Sequence, residues 1–308
     1  MPPCSSPTSP HGERERWPTG ERTTPQGQGA TSPRQTTPSC GLPERPPVKP
    51  SQSEGWCFMI SEFPLFIFTT LGGLSAGLVM AMAAFPPAEK PTRPWLAPLT
   101  ALVLLGVGML GVLFHLKKPA LFLLALRNPA AGIAQEAYCG IVLGVLLLAL
   151  LVMSWRKGGA PRALTWIAAG ISLIMAFVMG FAYVTNVGTA AWANWTTVPL
   201  FVAGDIAMGL ALWAVLSKDA LEKRPFALTA AVVLAVSAAT MLLTGLHFGS
   251  VGQGAALLYA GLAVTLAGAA VAVVAAKKPA AWQAGALIAC ALIGTCLARW
   301  AFYAASII

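Results

Sequence analysis

Eight apolar runs of roughly twenty residues each, joined by short loops, leave this chain few folds to choose from. They cover residues 64–84, 94–116, 137–155, 163–184, 198–217, 226–246, 251–276 and 280–306. A helix of about 20 apolar residues spans the hydrocarbon core of a bilayer. In hydrocarbon every backbone polar group must be satisfied internally. Hydrophobic residues make up 56% of the chain and charged residues only 10%, where a soluble domain carries about a quarter charged residues. The reading is therefore an all-α integral membrane protein, a bundle of about eight transmembrane helices. No convincing internal repeat relates the two halves of the sequence.

The first 58 residues differ from the rest. They hold 12 of the 24 prolines and have no apolar periodicity, the composition of a disordered segment. The sequence predicts a disordered extension over 1–58 and an eight-helix domain over 59–308. Met59 is read as the true initiator, with the extension arising from a start placed too far upstream. N-terminal sequencing of the native protein checks this.

Charge gives the bundle a direction. Residues 59–308 carry 14 basic and 6 acidic side chains. Such an excess can signal nucleic acid, but here it lies between apolar runs, as the positive-inside rule requires, and no nucleic-acid partner is expected. Odd-numbered loops hold ten Lys and Arg (Lys90, Arg93, Arg156, Lys157, Arg162, Lys218, Lys223, Arg224, Lys277, Lys278), and even-numbered loops hold three. Odd loops then face the cytoplasm, and both termini of the bundle lie outside. The three exceptions, Lys117, Lys118 and Arg127, all fall in the second loop.

Ionisable side chains inside spans are costly and point to function. His115, Glu136, Tyr183 and His247 fall at the outer boundary, Asp205 lies inside the fifth span, and Arg299 lies inside the eighth. Such a cluster suits oxidation of a quinol. The ring needs an apolar slot, a neutral imidazole near one hydroxyl accepts a proton, and a carboxylate relays it to water. Glu136 fits the relay, and Arg299 is placed either to hold Glu136 ionised or to donate to a quinone oxygen. Plainer readings stand beside these. His115 and His247 are interfacial residues, Asp205 pairs with another helix or faces a watery crevice, Arg299 snorkels outward, and Trp192 and Trp195 belong to an aromatic belt. Gly73 and Gly77 form a Gly-x-x-x-Gly spacing, a weak pointer to helix contact among 30 glycines. The six cysteines form no Cys-x-x-Cys pair, so neither a structural zinc nor an iron–sulfur site is expected. Only His115 and His247 are available in the bundle as axial ligands, both on the same side, which leaves room for one haem and excludes two bis-His haems.

Several stretches together resemble one family, the DmsC-type membrane anchor subunits of dimethyl sulfoxide reductase and related molybdoenzymes. They are Ser61–Thr69 with its Pro-Leu and Ile-Phe-Thr, His115-Leu116 followed by Pro119, Glu136 with Gly140, Tyr183 with the Trp192/Trp195 loop leading to Thr197 and Pro199, and Arg299 with Phe302 and Tyr303. The resemblance covers essentially all of residues 59–308. It departs where the family's Gly after His-Leu is Lys117, followed by Lys118. It implies an anchor that binds and oxidises menaquinol in anaerobic respiration, carries no haem and lacks the terminal reductase site. Electrons pass to a four-cluster iron–sulfur subunit and then to a molybdopterin catalytic subunit. His115 and Glu136 become the catalytic pair, with Arg299, Tyr183 and Tyr303 binding quinol and Lys117, Lys118 and Arg127 docking the partners. The location implied is the cytoplasmic (inner) membrane of a prokaryote, surrounded by lipid. Rival readings are a small-molecule or ion transporter using Asp205 and Arg299, and a non-redox membrane scaffold.

Overall fold

In the computed structural model, residues 52–87, 91–115, 122–186, 188–217 and 219–305 are described. Among them the secondary structure is helical: α1 (Gln52–Ala84), α2 (Leu96–His115), α3 (Phe122–Ala125), α4 (Gly132–Lys157), α5 (Arg162–Val184), α6 (Thr197–Leu216), α7 (Arg224–Ser250), α8 (Ala256–Lys277) and α9 (Trp282–Ala304). All but the single-turn α3 are long and apolar enough to cross a membrane. The all-helical architecture with eight spanning helices agrees with the sequence.

Several boundaries differ from expectation, the start of the seventh span at Ala256 among them. The backbone of α1 is helical from Gln52 and runs through Pro64, so residues 52–58 belong to the helix. The disorder expected for residues 1–51 lies outside the described residues. The third span begins at Gly132, five residues before the expected start at residue 137. Pro129 precedes it, accepts a bond from the Gln135 side chain at 3.2 Å, and leaves the helix free to start one turn earlier. The sixth span continues through His247 to Ser250 and stops before Gly252, whose φ of 77° is left-handed.

Helix contacts arrange these elements as two rings of four. In the first, α1 packs on α2, α2 on α4, α4 on α5, and α5 returns to α1. In the second, α6 packs on α7, α7 on α8, α8 on α9, and α9 returns to α6. The rings meet along α1 and α6, with α5 against α6 on one side and α1 against α9 on the other. The arrangement repeats in packing order, although the sequence reads as having no convincing internal repeat.

The α1–α6 seam is unusually close. A Cβ built on Gly209 would lie 1.9 Å from the carbonyl carbon of Gly77, and one on Gly73 would lie 2.0 Å from Oδ1 of Asp205. The two backbones nearly touch, the approach that small residues four apart permit. The weak Gly-x-x-x-Gly signal therefore marks the central contact of the molecule.

Candidate functional site

Glu136 is the fifth residue of α4 and is only 6% exposed. It shares a helix face with Gly132 and Gly140, one turn away on either side. Gly132 abuts Ala182 near the end of α5, where an added Cβ would come within 3.1 Å of the Ala182 Cβ. A Cβ on Gly140 would come within 2.7 Å of the Met109 sulfur in the last turns of α2. The Glu136 face therefore looks into the first ring, between α2 and α5. The ion pairs among the described residues are Lys223–Asp219 and Arg299–Asp205, and Glu136 belongs to neither.

α2 ends at His115, at the end of the bundle where α4 begins. Only the backbone of His115 is described. Lys117 and Lys118 lie outside the described residues. Arg127 lies in the turn after α3 and is exposed.

A hydrogen-bonded chain crosses the seam between the rings. The Tyr303 hydroxyl donates to Thr69 Oγ1 at 3.1 Å, and Thr69 Oγ1 donates to the Leu65 carbonyl at 3.0 Å. Tyr183 and Tyr303 share a bond of 2.7 Å. With Tyr303 donating to Thr69, Tyr183 is the donor in that pair. The Arg299 guanidinium donates to the Thr69 carbonyl oxygen and to Asp205 Oδ1. Its carbon also sits 5.0 Å above the Phe201 ring, a cation–π geometry. Arg299 is 1% exposed and Asp205 fully buried.

These contacts change two expectations and decide a third. Arg299 neither snorkels outward nor pairs with Glu136. It lies on the inward face of α9, where Asp205 of α6 and the Thr69 carbonyl of α1 are within reach. Asp205 faces its helix partner rather than a crevice. Trp192 is not a belt residue: it is 5% exposed, donates to the Phe302 carbonyl at 2.7 Å and stacks on the Phe302 ring at 5.4 Å. Trp195 is 66% exposed.

His247 is held within the fold. One ring nitrogen is 3.1 Å from the Ala190 carbonyl and the other 3.2 Å from the Asn194 amide. It pins the α5–α6 loop at the end of the bundle where Tyr183 and Tyr303 meet. Thr69, Phe201 and Trp192 escaped sequence reasoning as members of this network, since a Thr and a Phe inside apolar runs carry no signal of their own. The signal for the ion pair was present, as two opposite charges within spans.

A family model described as DMSO reductase anchor subunit (DmsC) matches residues 56–302. No curated protein matches the chain.

Proposed function

The chain belongs to the DMSO reductase anchor subunit (DmsC) family, and from that premise we propose that it is the quinol-oxidising member of its complex. Family membership and eight apolar helices make it a multi-pass membrane protein that anchors catalytic and electron-transfer subunits. The proposal adds that menaquinol is the electron donor. It gives up two electrons to a four-cluster iron–sulfur subunit, which feeds a molybdopterin subunit, and two protons to water. The setting is the cytoplasmic membrane of a prokaryote during anaerobic respiration, with the site at the outer face.

The observation that carries this reading is the placement of Glu136. A carboxyl group buried on an inward helix face, outside every ion pair of the described residues, is costly in an apolar bundle. It stands at the end of the bundle where α2 ends, with the His115 backbone at that helix end. Quinol oxidation needs a proton acceptor at the hydroxyl and a carrier behind it. His115 takes the first role and Glu136 the second. Tyr183 and Tyr303 close the inner side of the site through their shared hydrogen bond. Arg299 is a positioning residue, because its bonds go to Thr69 and Asp205. Arg127 is offered for subunit docking, along with Lys117 and Lys118. The transporter reading needed Asp205 and Arg299 in an open pathway, whereas their bonds join helices.

The test is His115→Leu in the assembled complex. Quinol-driven reduction should fall by about a hundredfold or more, the usual contribution of a positioned acid or base. Reduction by an artificial dye that bypasses the membrane subunit should persist. Unimpaired quinol oxidation would remove His115 from the mechanism.

A further inference from the structure

At the opposite end of the bundle from Glu136, the structure forms a groove of about 1150 Å³. Its walls come from the end of α1, residues 86–87 and 91–94 of the segment that follows, the start of α2, the end of α4, the start of α5, the end of α6 and the turn that follows. The floor is apolar, with Met82, Leu150, Trp213 and Leu216 among its residues. Two exposed arginines, Arg93 and Arg162, stand in its lining.

We propose that this groove holds an anionic phospholipid, with the phosphate at Arg93 and Arg162 and an acyl chain along the apolar floor. Three observations favour that occupant. The first is the mixed lining. An arginine fork suits a phosphate, while the apolar floor and the volume exceed what a free phosphate can use.

The second is the charge around it. Among the described residues at this end, eight are basic (Arg93, Arg156, Lys157, Arg162, Lys223, Arg224, Lys277, Lys278) and two acidic (Asp219, Glu222). Both acids line the groove, but Asp219 is paired with Lys223 at 3.1 Å. Basic pockets between membrane helices recognise anionic headgroups.

The third is depth. Trp166 lines the groove and is half exposed, and Trp155, nearby on α4, is largely exposed with its ring 6.4 Å from that of Trp95. Indole rings gather at the headgroup level, so the arginines stand where lipid phosphates lie.

Binding is measured on the full chain in detergent, comparing phosphatidylglycerol with phosphatidylcholine by native mass spectrometry. The wild type should retain phosphatidylglycerol in preference. The Arg93→Gln/Arg162→Gln variant should bind it about thirtyfold more weakly, about 2 kcal/mol at about 1.4 kcal/mol per decade. Lys277→Gln/Lys278→Gln, at the same end but outside the groove, should bind as the wild type does. Equal retention of the two lipids would overturn the proposal, as would undiminished binding by the arginine variant. Displacement by inorganic phosphate as effective as by the lipid would assign the groove to a soluble anion instead. Should the arginine variant fail to fold, the wild-type comparison of the two lipids decides.

Discussion

Among the described residues two acids of the bundle are buried, and their surroundings give them different work. Asp205 meets a guanidinium across the seam, and that pair also collects the Thr69 carbonyl. Removing one partner of such a pair leaves a buried charge alone and typically costs about 3–5 kcal/mol. Asp205→Ala should therefore sharply lower the thermal stability of the purified chain. Asp205→Leu combined with Arg299→Met, which removes both charges, should recover much of the loss; a double variant no better than the single one would show that the pair is not what the single change disturbs. Glu136 has no such anchor. Glu136→Gln keeps its shape and removes the ionisable proton site. We expect quinol-driven turnover to fall by about a hundredfold or more, with melting temperature and dye-driven turnover nearly unchanged. A matching loss of stability would mark Glu136 as structural.

At the scale of elements, the seam between α1 and α6 is the most constrained feature. A Cβ on Gly209 meets backbone of α1, which no rotamer change can relieve. Gly209→Val should force the helices apart, seen as loss of monodisperse protein on extraction. Gly106→Ala is the control, because nothing lies within 4 Å of a Cβ there, and it should extract like the wild type. The end of α4 that carries Glu136 depends on a subtler fit: Gly132 and Gly140 let α4 approach α5 and α2, which is how Glu136 between them becomes buried.

At the scale of the molecule, the two rings correspond in more than order. Gly73 and Asp205, Gly77 and Gly209, and His115 and His247 are each 132 residues apart. Tyr183 and Tyr303 are each the second-to-last residue of the helix that closes its ring. The rings have diverged where it matters: His247 is tied to a loop carbonyl and amide, and no acid follows it as Glu136 follows His115. The proposed redox role therefore belongs to the first ring, and His247→Ala should leave quinol oxidation largely intact. The orientation proposed from loop charges is checked by reporter fusions. Alkaline phosphatase attached after Ala305 should be active, and attached between α4 and α5, inactive. The reverse pattern would invert the topology.

The sequence alone determined the eight spanning helices, because a run of about twenty apolar residues has one stable state in a bilayer. It also indicated which residues repay attention, since an ionisable group inside such a run is too costly to be incidental. What it left open was partnership. Arg299 is equally compatible in sequence with Glu136, Asp205 or solvent, and only the meeting of α9, α6 and α1 selects Asp205. Trp192 and Trp195 look alike in sequence, yet one is packed on Phe302 and the other exposed, because the α5–α6 loop folds inward at the first and outward at the second. Helix existence is local chemistry. Side-chain pairing depends on which helices become neighbours, and in this chain that is settled by small residues whose effect appears only when two backbones meet.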